Sequence, residues 1–135
     1  MSNAYYRLFY HFVWATKNRK PIITPQIECI LKEFMPGKIG ELGGKQLELN
    51  MTDDHLHLMA SIPPRISCAE FVHSIKGSAS NHVNVNLNER LFYWQSGYGV
   101  LSLSEKDVPF VGKYIENQKE RHATNKSLEI YEYIP

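Results

Sequence analysis

The order of elements readable along the chain, β-α-β-β-α-β-α, predicts an α+β fold of the ferredoxin-like (RRM-like) split β-α-β type. Such a fold is a four-stranded antiparallel sheet with helices on one face, here followed by one more helix near the C-terminus. Three observations carry this expectation. Four segments have strand character, rich in aromatic and branched residues or alternating apolar with polar. Two of them are separated only by Thr52-Asp53-Asp54, which makes them a hairpin. Two helical segments with N-terminal caps fall between the strands. The 135 residues, 43% of them hydrophobic, fit one compact domain spanning 1–135.

The elements follow in order. Residues 5–16 are dense in Tyr, Phe, Val and Trp and read as a buried strand, and 17–21 as a polar turn. Thr24-Pro25 supplies an N-cap with proline at the first helical position. That helix runs to about Met35, with a kinked continuation past Pro36-Gly37 that Gly43-Gly44 stops. In 46–51, Leu47, Leu49 and Met51 alternate with Gln46, Glu48 and Asn50, a half-exposed strand. His55 to Ile62 is the next strand, ended by Pro63-Pro64. Ser67 with Glu70 forms a capping box for a helix reaching Leu87, with Phe71, Val72 and Ile75 on its apolar stripe. Tyr98 to Leu103 is the fourth strand, and Ser104 caps a last helix over about 105–124.

Composition removes several function classes. No stretch approaches the roughly 18 apolar residues of a membrane span, and the N-terminus lacks a signal-peptide pattern, so a cytoplasmic protein is expected. Cys29 and Cys68 are far apart, form no C-x-x-C pair, and read as small buried residues in a reducing compartment. The net charge of +1 is not that of a protein gripping long duplex DNA through many phosphates. Local basic patches remain at Lys17-Asn18-Arg19-Lys20 and at Lys113, Lys119, Arg121 and Lys126.

The residues able to do chemistry lie in two places. In Asp54-His55-Leu56-His57-Leu58, alternation puts both imidazoles on one face of a strand, half of a metal site. A metal needs a third protein ligand. Gln118 is the candidate, with Glu116, Glu120 and His122 as alternatives from the same helix. Two imidazoles and an amide oxygen leave positions for water and phosphate oxygens, which suits Mg²⁺ or Mn²⁺ better than a closed structural zinc site. Tyr114 precedes Gln118 by one helical turn on the same face and is the candidate nucleophile. A phenol of pKa about 10 needs a nearby cation or base before it attacks phosphorus.

These motifs resemble the HUH single-tyrosine transposases of small insertion sequences that move as single-stranded DNA, relatives of the REP-associated tyrosine transposases. The resemblance rests on Phe12 to Arg19, on Asp54 to Leu58 followed by Ser61-Ile62-Pro63-Pro64, on Ser74 to Ser78, on Trp94 to Val100, and on Tyr114 to Gln118 followed by His122. It implies that Tyr114 attacks a phosphodiester, forming a 5′-phosphotyrosine link and freeing a 3′-hydroxyl. It implies that His55, His57 and Gln118 hold the divalent metal, with His122 as a supporting group. It further implies single-stranded DNA with hairpin ends as partner. It also implies a homodimer with joined sheets, whose tyrosine helix can serve either subunit's histidines. Lys17, Arg19, Lys20 and Lys76 are expected from charge and placement to contact the DNA backbone. The strand Leu8 to Trp14, apolar on both faces, would need cover and so favours a dimer.

Two other readings compete. A non-catalytic single-strand binder would present Tyr10, Phe12 and Trp14 as a stacking platform. A small metal hydrolase would need a further histidine in the run, where Met59 stands.

Overall fold

The computed structural model describes residues 4–119. Strands β1 (Phe9–Ala15), β2 (Lys45–Met51), β3 (His55–Ser61) and β4 (Gly99–Leu103) form one antiparallel sheet in the order β2-β3-β1-β4. Helices α1 (Pro25–Glu41) and α2 (Cys68–Leu87) lie between the strands in sequence, and α3 (Val108–Glu116) follows β4. This is the expected split β-α-β arrangement.

The main core lies between one sheet face and the first two helices. Phe12, Trp14, Leu49, Met51, Leu56, Leu58 and Ala60 project from the strands. Leu31, Met35 and Ile39 meet them from α1, and Phe71, Ile75, Ala79 and Val83 from α2. The helical residues recur at four-residue intervals, so each helix buries one stripe. Each fully buried large apolar side chain contributes about 1.5–3 kcal/mol before chain entropy is counted. The caps form as expected: Thr24 accepts from the Ile27 N–H, and Ser67 from the Glu70 N–H.

The opposite sheet face is not left open. Helix α3 packs across β2 and β3, where Val111, Tyr114 and Ile115 bury against Met59, Leu47, Leu103 and Val108. The sheet therefore has helices on both sides, with α3 the one helix over the histidine face among the described residues.

Several elements depart from expectation for identifiable reasons. Strand β1 starts at Phe9 rather than Tyr5, because its pairing with β3 and β4 ends at Ser61 and Leu103. It is central in the sheet and covered on both faces, so its apolar character is no argument for a dimer. Helix α1 continues through Pro36 to Glu41 as one helix. In β2 the alternation breaks at a bulge between Gln46 and Glu48, and Leu47 packs with the α3 cluster rather than with Leu49 and Met51. The last helix does not begin at Ser104. A 3₁₀ turn, Glu105–Asp107, comes first, and the α-helix starts with Pro109 in its first turn. That helix also stops at Glu116 instead of running on towards 124, because Asn117 leaves helical geometry at φ −95° and ψ 19°; Glu120, Arg121, His122 and Lys126 lie outside the described residues. Cys29 is exposed, because it sits off the Ile27-Leu31-Met35 stripe. Both cysteines are free thiols.

Candidate active site

The hairpin β2-β3 builds the site. Met51 pairs with Leu56, and the Thr52 N–H donates to the His55 carbonyl at 2.9 Å, closing the acidic turn. His55 and His57 then share the sheet face under α3, with ring centroids 5.2 Å apart. Both imidazoles are buried. Each is held through Nδ1. His55 Nδ1 lies 2.7 Å from Asp54 Oδ1 and 3.0 Å from Thr52 Oγ1. His57 Nδ1 lies 2.8 Å from Nε2 of His11, a β1 residue. Burial pushes the Asp54 carboxyl up, but the hydrogen bond and charge of His55, with Arg19 and Thr52, outweigh it and hold Asp54 below the usual carboxylate range.

Helix α3 carries Tyr114 over this face, and Gln118 follows two residues past its end. The Tyr114 ring lies edge-on to His57 at 6.0 Å between centroids. Asn50, opposite His57 on β2, donates to the carbonyls of Ile115 and Glu116 at 3.1 and 3.0 Å. Those carbonyls belong to the last turn of α3, where intrahelical donors run out. Lys119 closes the same end by donating to the Met51 carbonyl at 2.8 Å, to Asn50 Oδ1 at 3.0 Å and to Glu28 on α1 at 2.7 Å. Gln118, between these anchors in sequence, is fully buried.

Among the described residues, no three His, Cys, Asp or Glu side chains converge as a metal-binding group. The Gln118 carboxamide is 0% exposed, and neither its oxygen nor its nitrogen has a hydrogen-bond partner among the described residues. Leaving such a group buried and unpaired costs about 1–3 kcal/mol, which a ligand to its oxygen would offset. His55 and His57 are thus held through Nδ1 on the face under α3, and Gln118 is buried past the end of that helix.

The family model "Transposase IS200 like" matches residues 4–118. The chain belongs to the IS200-like transposase family. Its function is that of a DNA transposase, which makes it a DNA-cleaving enzyme. This transposase is 28% identical to the ISDra2 transposase TnpA of Deinococcus radiodurans over 122 residues, 86% of this chain and 87% of that one. It is 26% identical to the transposase for insertion sequence element IS200 of Salmonella typhimurium over 131 residues, 90% of this chain and 83% of the relative. Among solved structures, a Deinococcus radiodurans protein assigned as a transposase superposes with a TM-score of 0.69 at 26% identity, covering 87% of this chain and 95% of that one. A REP-associated tyrosine transposase, solved bound to a REP hairpin, shares the fold with a TM-score of 0.64 at 16% identity, covering 90% of this chain and 74% of that one.

Of the transposase's expected basic residues, Arg19 reaches the site through Asp54, the carboxylate beside His55. Lys17, Arg19 and Lys20 lie on and just after an exposed 3₁₀ turn. In that turn Asn18 and Arg19 adopt φ of 57° and 51°. The turn is docked by the Asn18 N–H on Gln95 Oε1 at 2.8 Å, and Arg19 pairs with Asp54 at 3.6 Å. Lys76 donates to the carbonyls of Gln95 and Gly97 at 2.6 and 3.0 Å, and burial pushes its ammonium pKa down. Its ammonium thus holds the loop before β4. The stacking platform of the competing reading is absent: Phe12 and Trp14 face α1 and α2 and are fully buried.

Sequence reasoning missed two residues of the site. His11 had a signal: an ionisable side chain inside an otherwise apolar central strand must find a partner. Asn50 had none, because it sits in the polar half of an alternating pattern that reads as solvent-facing.

Proposed function

We propose that the transposase cuts single-stranded DNA with Tyr114 as nucleophile and rejoins it by the reverse step. The observation that carries this reading is the setting of Tyr114, on α3, against His57, with the buried Gln118 carboxamide two residues past the end of that helix and without a hydrogen-bond partner among the described residues. Tyr114 Oη attacks the scissile phosphorus and loses its proton. The P–O3′ bond breaks, and the departing oxygen takes up a proton to become a 3′-hydroxyl. The product is a 5′-phosphotyrosine that conserves the bond for strand transfer, so no external energy source is required. His55, His57 and Gln118 hold the divalent cation, Mg²⁺ or Mn²⁺. Bound there, it would neutralise charge on the scissile phosphate. Metal dependence is general in this class of transposase, and the donor set supports it here.

The DNA partner is a single strand carrying a hairpin, contacted through Lys17, Arg19 and Lys20. Their exposed turn offers phosphate contacts that position the strand rather than read its sequence. The protein acts as a homodimer with joined sheets. What supports this is β4, which pairs only with β1 among the described residues and so presents its outer edge. Incubation with Mn²⁺ and single-stranded hairpin DNA from the element's own ends, run on a denaturing gel, tests the reaction. A covalent adduct is expected from the wild type and none from Tyr114→Phe or His57→Ala. An adduct persisting in Tyr114→Phe would sink the nucleophile assignment.

A further inference from the structure

We infer that His11 is a positioning residue that sets the tautomer of His57. The inference rests on the proposed metal role of His57 and extends it to a residue in a different strand. His11 and His57 lie in adjacent strands: His11 pairs with Met59, and Val13 pairs with His57. The two histidines are thus diagonal neighbours on the α3 face, within reach of each other. Their ring centroids are 5.0 Å apart, and His11 Nε2 lies 2.8 Å from His57 Nδ1. Exposures of 1% and 0% exclude bulk water from the pair.

A hydrogen bond between two neutral imidazoles has one donor and one acceptor, and each ring carries one proton. If His11 Nε2–H donated, His57 would accept at Nδ1 and carry its own proton on Nε2. Both nitrogens of His57 would then be occupied, and it could not ligate. Ligation by His57 requires the opposite polarity. His57 Nδ1–H donates to His11 Nε2, the Nε2 lone pair of His57 is left for the cation, and the His11 proton sits on Nδ1. His55 reaches the same state differently, donating from Nδ1 to the Asp54 carboxylate at 2.7 Å. The hairpin thus has two histidines held by two unlike acceptors, one anionic and local in sequence, one neutral and supplied by the central strand. Such outer partners orient metal-ligating histidines and raise their basicity.

The test uses the full chain with three variants. His11→Phe keeps an aromatic ring but removes the acceptor. His11→Gln keeps an acceptor oxygen. His57→Ala is the reference for the metal reading. Nitrogen-15 imidazole spectra of the metal-free wild type at about pH 8 should show His57 protonated on Nδ1, and the His11→Phe spectrum should lose that preference. Mn²⁺ affinity read by electron paramagnetic resonance should fall about 10- to 100-fold in His11→Phe and only a few-fold in His11→Gln. A wild-type spectrum with the His57 proton on Nε2 overturns the inference, as does wild-type Mn²⁺ affinity in a folded His11→Phe. If His11→Phe does not fold, the wild-type spectrum and the His11→Gln affinity still decide. If His57→Ala binds Mn²⁺ as tightly as the wild type, the metal reading fails instead, and the spectrum judges the His11–His57 bond separately.

Discussion

Replacing Asn50 with alanine should loosen α3 from the sheet without unfolding the rest. Asn50 is nearly buried and donates to the Ile115 and Glu116 carbonyls at 3.1 and 3.0 Å. Each such bond contributes a net of about 0.5–1.5 kcal/mol, so losing both lowers the cost of detaching α3 by about 1–3 kcal/mol. At 1.4 kcal/mol per factor of ten, amide protection in α3 falls roughly 5- to 150-fold. Native-state hydrogen exchange on the Val111 and Ile115 amides reads this directly, with β1 and β3 amides as internal reference. Lys119→Met should act in the same direction but more weakly, because the Lys119 side chain is 55% exposed and exposed ion pairs are worth about 0–1 kcal/mol. Two results would refute the reasoning: unchanged α3 protection in Asn50→Ala, or an equal loss in α3 and β1, which would mean that α3 opens only with the whole domain.

Acid should weaken the link between α1 and the end of α3. Burial pushes the Glu28 carboxyl up, but hydrogen bonds and charge from Lys119 and Lys32 outweigh it and leave its pKa below the ordinary 4.5. A depressed carboxylate pKa contributes stability that is present above the unfolded value and lost as pH falls through the folded one. Thermal melts at about pH 6 and pH 3 should therefore differ less in Glu28→Gln than in the wild type. A conformational prediction concerns Gly43, which ends α1 with φ of +84°, where an added Cβ would also collide with the Arg65 guanidinium. Gly43→Ala should cost about 1–2 kcal/mol, read as a lower urea midpoint at unchanged slope.

The parts of this fold that were legible in the chain are those governed by local rules. Thr24-Pro25 and Ser67 with Glu70 announce helix starts, and both caps form. The alternation through His55 and His57 announces a face, and the register bears it out. Local rules do not report which side of the sheet a later helix will cover. That is why the burial of His55 and His57 could not be read from their alternation, and why Asn50 reads as a surface residue while holding the end of α3. The bulge at Leu47 is of the same kind, since an extra residue on one strand is visible only against its partner. The helical spacing expected for Tyr114 and Gln118 is interrupted, because α3 ends at Glu116 and Asn117 leaves helical geometry, while Asn50 and Lys119 fasten the helix end against the sheet. The chemistry of this transposase is therefore divided by sequence distance. The candidate ligands and nucleophile sit in short motifs. The groups that contact them or their helix, His11 and Asn50, come from neighbouring strands, and which partner each meets is set only once the sheet is assembled. A variant screen confined to the motif residues would miss half of what sets the histidine geometry.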